Sequence, residues 1–212
     1  MSAATNAVNI CNLALDYVEA APISSIEAPV TDTETLCARW YDNTRRELLR
    51  KYIWNFAKTR KNLSLNATSP IFGYADAYNL PNNFIRLLSI GDDSLYDYRK
   101  EYEIENGQII LDNNGATTLK IIYIFDQVSV NKFDSLFVKL LALELASNIA
   151  YQITGKNTVV KRVETLLQKA REVAAGVDGQ ERPPKRIQRS NFTNSRRNMQ
   201  AGVASPYTTF DR

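Results

Sequence analysis

The stretch from Thr33 to Leu65 constrains this chain of 212 residues more than any other, because its period changes part-way along. Cys37, Tyr41, Thr44, Leu48, Tyr52 and Phe56 recur at steps of three and four, which is the spacing of one buried helical face. Arg39, Asp42, Arg46 and Arg50 recur on another face that suits water or a partner, and Asp42→Arg46 and Glu47→Lys51 are acid-before-base pairs four apart. The spacing predicts a helix over 32–57 that closes on Trp54-Asn55-Phe56-Ala57. From Lys58 the chain reads as extended, with apolar Leu63 and Leu65 two apart. Two large rings therefore fall where a helix hands over to a sheet, a joint able to anchor a core. Trp40, Tyr41, Trp54 and Phe56, with Tyr78 and Pro81 further on, are the candidate structural anchors.

Three more helices follow from similar patterns. Thr5 or Asn6 caps a first helix over 5–20, with Ile10, Ala14, Tyr17 and Val18 inward, and Pro22 prevents its continuation. A short connector then leads to a cap at Thr31 or Asp32, which implies antiparallel packing of the first two helices. Asp134 or Ser135 opens a third helix over 134–153, apolar nearly all round and so buried on most sides by its own domain or by neighbouring subunits. Thr154-Gly155 ends it. Asn157 or Thr158 caps a fourth over 157–175, inward through Val160, Val163, Leu167 and Ala170, and Gly176 to Gly179 breaks it.

The middle third, 58–126, is β-rich. Residues 71–81 read as a strand ended by Pro81, with Tyr74 and Tyr78 on one face. Phe84 to Ile90 is a second, and Gly91-Asp92-Asp93-Ser94 is a turn. Tyr102 to Glu105, Asn106-Gly107 and Gln108 to Leu111 form a hairpin with a type I′ turn, and Thr117 to Phe125 is the strongest strand. The fold class is α+β: a bundle of about four helices, a small, mostly antiparallel sheet in the middle, and an extended C-terminal tail.

Composition narrows the chemistry. The chain has no histidine, which removes Ser-His-Asp and Cys-His catalysis and every His-containing metal site. Glu101, Glu103 and Glu105 lie close enough to suggest paired carboxylates, although alternating positions suit a solvated strand face equally. Ile153 to Thr158 departs from a phosphate loop at Ala150, where the first glycine belongs, and Asp92, Asp93 and Asp112 are turn residues. These patterns imply no enzyme, no metal and no cofactor. Cys11 and Cys37 each fall on an apolar helical face, as reduced core residues of a reducing compartment. No run reads as long or apolar enough to span a bilayer, and the N-terminus lacks a signal-peptide pattern.

Charge is asymmetric. From Glu181 to Arg212 there are seven Lys or Arg and two acids, so the net +3 of the chain conceals a mildly acidic body, 1–179, with a basic tail, 180–212. The tail has few apolar residues and no period, so free in solution it is expected to be disordered. Arg182, Lys185, Arg186, Arg189, Arg196 and Arg197, with Phe192, Tyr207 and Phe210, are candidate partner-binding residues. The same cations with Phe192 could bind nucleic acid through phosphate charge.

The landmarks also occur in a familiar order. Leu13-Ala14-Leu15-Asp16-Tyr17-Val18 is followed by Pro22-Ile23-Ser24-Ser25-Ile26 and by a helix carrying Cys37, Tyr41-Asp42, Arg45 and Leu48-Leu49. Trp54-Asn55-Phe56-Ala57, Tyr78-Asn79-Leu80-Pro81 and the apolar helix from Phe137 to Thr154-Gly155 complete it. Over roughly residues 5 to 175 this order resembles the tail tubular, or head-to-tail adaptor, proteins of short-tailed bacteriophages. The resemblance implies a structural virion protein assembled in the host cytoplasm, with a helical bundle beside a β-rich part. It implies a ring, usually of twelve copies, beneath the portal protein at the capsid vertex. That ring continues the channel for genomic DNA and offers a platform to the next tail or nozzle protein. No membrane is involved, and the C-terminal extension grips the portal.

Overall fold

The computed structural model describes residues 6–91 and 101–180. The chain divides into a body, Met1–Arg182, and a second unit, Pro183–Arg212, and the described residues all lie in the body. Helices α1 (Ala7–Tyr17) and α2 (Asp32–Lys51) precede six strands, and α3 (Ser135–Thr154) and α4 (Asn157–Gln180) follow them. The strands are β1 (Lys58–Ser64), β2 (Asp76–Asn79), β3 (Phe84–Ile90), β4 (Tyr102–Glu105), β5 (Gln108–Leu111) and β6 (Thr118–Phe125). The architecture is α+β, with two antiparallel three-stranded sheets, ordered β1-β6-β3 and β2-β5-β4, in place of a single one. An antiparallel bridge between Leu65 and Tyr78 links them.

Alternation along β6 explains the layers. Ile124 belongs to the helical core, with Ile85 and Leu88 of β3 packed on the same cluster. Leu119, Ile121 and Tyr123 instead join Tyr78, Ile109 and Leu111 of the second sheet. Successive side chains of a strand point to opposite faces, so the first sheet is covered by helices on one side and by the second sheet on the other. The hairpin between β4 and β5 turns at Asn106 (φ 45°) and Gly107 (φ 73°), both positive as a type I′ turn requires.

Helix ends follow local chemistry. The Asn6 side chain accepts from the Asn9 amide at 2.7 Å, and Asp134 accepts from Leu136 at 2.7 Å. α1 stops at Tyr17, before Pro22 can act: Glu19 turns left-handed at φ 60°, and Ala20 and Glu19 donate to the Leu15 and Asp16 carbonyls. Arg162 of α4 holds that end, donating to the Tyr17 carbonyl at 2.9 Å and the Glu19 carboxylate at 2.6 Å. α2 stops at Lys51 rather than 57. Tyr52 turns extended, and the Trp54 indole donates to the Leu48 carbonyl at 3.4 Å, so the rings of the joint follow the helix instead of lying on it. α4 runs on to Gln180 through Gly176 and Gly179, because glycine weakens a helix without removing an amide donor. The third helix spans Ser135–Thr154, closed by Gly155 at φ 63°. By length and composition α3 reaches the requirement for a membrane span, contrary to the sequence expectation. Its own chain covers it instead: Phe137, Leu140, Leu141, Leu145 and Ile149 are buried among α1, α2 and α4. α1 and α2 each pack chiefly on α3 rather than on one another.

The α1–α2 connector is tied to one carboxylate. Glu34 completes a capping box with Thr31 and accepts from Val30 at 2.8 Å, Thr31 at 3.1 Å, and the Ser24 hydroxyl at 3.0 Å. The Val30 and Thr31 amides, then the Ser24 donors, pull its pKa down to about 2. A folded pKa below the unfolded one adds stability that is fully present above the ordinary carboxylate range and is lost as pH falls towards about 2. Glu34→Gln should therefore be less stable than the parent at pH 7. The gap between their urea midpoints should narrow steadily between pH 5 and pH 2.5, and a constant gap would exclude this role for the carboxylate.

Candidate docking surfaces

The anchors meet in the core. Phe137 of α3 is fully buried and meets Trp54, Phe56 and Phe133 with ring centroids 5.1, 5.0 and 4.9 Å away, each edge-on. Tyr41 and Trp54 are buried, whereas Trp40 and Phe56 are half-buried against the same cluster. The Tyr41 hydroxyl is buried without a protein partner, and burial pushes its pKa up to about 12. Tyr78 lies in the second core and donates its hydroxyl to the Ala116 carbonyl at 2.6 Å, with half-buried Pro81 just beyond β2. Cys11 and Cys37 are free and buried, and hydrogen bonding to Cys37 together with burial pushes the Cys11 thiol up.

The sequence marks Arg45 only as a landmark on its helix and gives it no role, yet it is 1% exposed. Its guanidinium donates to Asp126, to the Gln127 carbonyl at 2.7 Å and to Asp42 at 3.1 Å, while Arg46 takes the other Asp126 oxygen at 3.0 Å. Arg46 thus reaches across to the end of β6 rather than back to Asp42, as the helical spacing had implied. Asp76 accepts from the Asn113 and Gly115 amides at 2.8 and 3.0 Å and fixes the turn before β6. These charges hold the frame together.

No cluster of three metal-ligating side chains occurs among the described residues. Glu103 and Glu105 stand on β4, whose four residues are all exposed, and not in a cleft. What the body offers instead is apolar surface of two kinds. The first is a loop. Residues 71–75, expected as strand, fall outside β2, and Ile71 and Phe72 are 98% and 86% exposed at its tip. Tyr74 beside them has its hydroxyl pushed up, first by desolvation and then by the Glu103, Glu101 and Asp112 carboxylates, and Asp112 accepts from the Ala75 amide at 2.9 Å, so acids lie at the base of this loop. The second is a groove of about 290 Å³, close to the lower limit for small-ligand clefts. Leu136 and Leu143 of α3 and Leu166, Ala170 and Val173 of α4 line it, with Tyr17 of α1. Lys139 and Lys169 stand at its walls, and Leu166 and Val173 are 38% and 52% exposed.

No protein-family model matches this chain, and no curated protein matches it significantly.

The tail candidates Arg182, Lys185, Arg186, Arg189, Phe192, Arg196, Arg197, Tyr207 and Phe210 lie outside the described residues, as does the turn at Asp92-Asp93-Ser94. One of the two body surfaces had a sequence signal. Pro70 and Gly73 bracket Ile71-Phe72 as they would in a loop, whereas Leu166 and Val173, seven apart on α4, fall outside the inward face that the spacing predicts.

Proposed function

We propose that this protein is the subunit of a head-to-tail adaptor ring of a short-tailed bacteriophage. It sits beneath the portal, continues the DNA channel, and presents a platform to the next tail or nozzle protein. It acts by assembly and not by catalysis. The observation that carries this reading is the pair of uncovered apolar surfaces on separate layers of one small body, the tip at Ile71-Phe72 and the groove between α3 and α4. Surfaces that differ in place and shape make head-to-tail contacts, and such contacts close into rings when the rotation allows. The order of landmarks from Leu13 to Gly155 gives the assembly its identity, and twelve copies its usual size. The basic tail, from Arg182 to Phe210, docks on the portal.

Native mass measurement of the purified protein, alone and mixed with its portal protein, tests this. A closed multimer, alone or on the portal, is the expected result, and a single copy in both samples would refute it. Deleting Glu181 to Arg212 should leave a folded body that no longer joins the portal. A second reading, nucleic-acid binding, is favoured by the exposed Lys58, Arg60 and Lys61 on β1, cations of the kind that meet phosphate. A salt-dependent shift of DNA by the isolated protein would select that reading.

A further inference from the structure

The geometry points to a specific self-contact: the Ile71-Phe72 tip of one copy seats in the groove between α3 and α4 of the next. This deepens the adaptor-ring reading and rests on it for the closed form of the assembly. Three observations commit the groove to a second copy. The tip is a protruding pair of large apolar side chains that its own chain leaves almost bare. Single exposed apolar residues are ordinary on a protein surface, but two adjacent ones at a loop tip match an apolar recess elsewhere on the same molecule. The rims are complementary in charge: Asp112 accepts from the Ala75 amide at 2.9 Å at the base of the loop, exposed Glu103 of β4 and Glu101 act on Tyr74 beside it, and Lys139 and Lys169 stand at the groove. Opposed rims of this kind set orientation and suppress the tip-to-tip alternative, in which like charges would face one another.

The two surfaces also sit on different layers. The loop leaves β1 of the first sheet and enters β2 of the second, whereas the groove belongs to the helical layer across the first sheet. Tip and groove therefore make a heterologous contact that repeats from copy to copy. Phe72 is the anchor, since a buried aromatic at the centre of an interface carries a large share of its binding energy. The carboxylates and lysines form the polar rim.

Two cysteine variants read the contact directly. Phe72→Cys and Val173→Cys proteins are mixed and treated with a short bismaleimide. Native Cys11 and Cys37 are buried and shielded from it, and Ser64→Cys, at an exposed position, replaces Val173→Cys as the control. Cross-linked dimers should form between positions 72 and 173 well above the control, and a chain carrying both substitutions should give a ladder. Phe72→Ser should weaken self-association roughly thirtyfold with an unchanged melting temperature, because the side chain contributes little to the isolated fold. Lys169→Glu should weaken it too, and Glu103→Lys in the same chain should restore part of the loss. A closed multimer without linkage between 72 and 173 would overturn this contact and leave the adaptor reading standing. Linkage that leads only to open-ended fibres would keep the contact and overturn the ring. Absence of both would remove both.

Discussion

Replacing Arg45 with alanine should lower the unfolding free energy by about 3–5 kcal/mol, a large share of what a domain of this size has. The guanidinium is 1% exposed and bridges the middle of α2 to the segment after β6 through Asp126 and the Gln127 carbonyl. Removing it leaves the Gln127 carbonyl without that donor in a buried place, a loss of about 1–3 kcal/mol by itself. It also leaves Asp126, 15% exposed at its side chain, with Arg46 as its remaining cation. Urea unfolding at neutral pH measures the effect, which should appear as a lower midpoint with an unchanged slope. A double-mutant cycle with Asp126→Asn separates the ion pair from the carbonyl bond. The double variant should lose less than the two single losses together, because the partners share one network. A loss below about 1 kcal/mol for Arg45→Ala would place this arginine among ordinary surface ion pairs.

That arginine also marks where sequence legibility ends. Elements defined by short-range rules were readable: the helix start at Thr31 or Asp32, the turn at Asn106-Gly107, and the run of β3 from Phe84 to Ile90. Each of these is decided by neighbours within a few residues. Arg45 stands in a helix rich in exposed arginines, and its Asp126 and Gln127 partners are 81 and 82 residues away, so helical spacing alone could not pick out its burial. The same limit explains Arg46, whose counter-ion looked local and proved distant. Ile71 and Phe72 were misplaced for another reason. Their residue types favour a strand, but no strand among the described residues pairs with them before β2 begins at Asp76. The groove was hidden because Leu166 and Val173 are too few to register as a face until α3 supplies the opposite wall. For α3 itself, the sequence left the cover undecided between its own domain and neighbouring subunits. The packing of α1, α2 and α4 covers most of its apolar side chains within the chain itself and leaves the wall at Leu136 and Lys139 open to the groove.

Phe137→Ala should be the most damaging core substitution, lowering stability by about 3–5 kcal/mol. The ring is fully buried, and three edge-on aromatic neighbours add to its area burial, each pair by about 0.5–1.5 kcal/mol. Those neighbours come from the segment after α2 and the segment before α3, so the ring ties the helical layer to both ends of the sheet region. Phe137→Leu keeps most of the volume and should lose markedly less, whereas Phe56→Ala, truncating a half-buried ring, should fall between the two. Trp54 lies within the cluster and supplies the probe: its fluorescence should report a looser environment in Phe137→Ala before global unfolding begins. Denaturant midpoints for the three variants test the order. If Phe56→Ala proved costlier than Phe137→Ala, the joint would be centred on the turn after α2, and α3 would be a lining element instead of the hub.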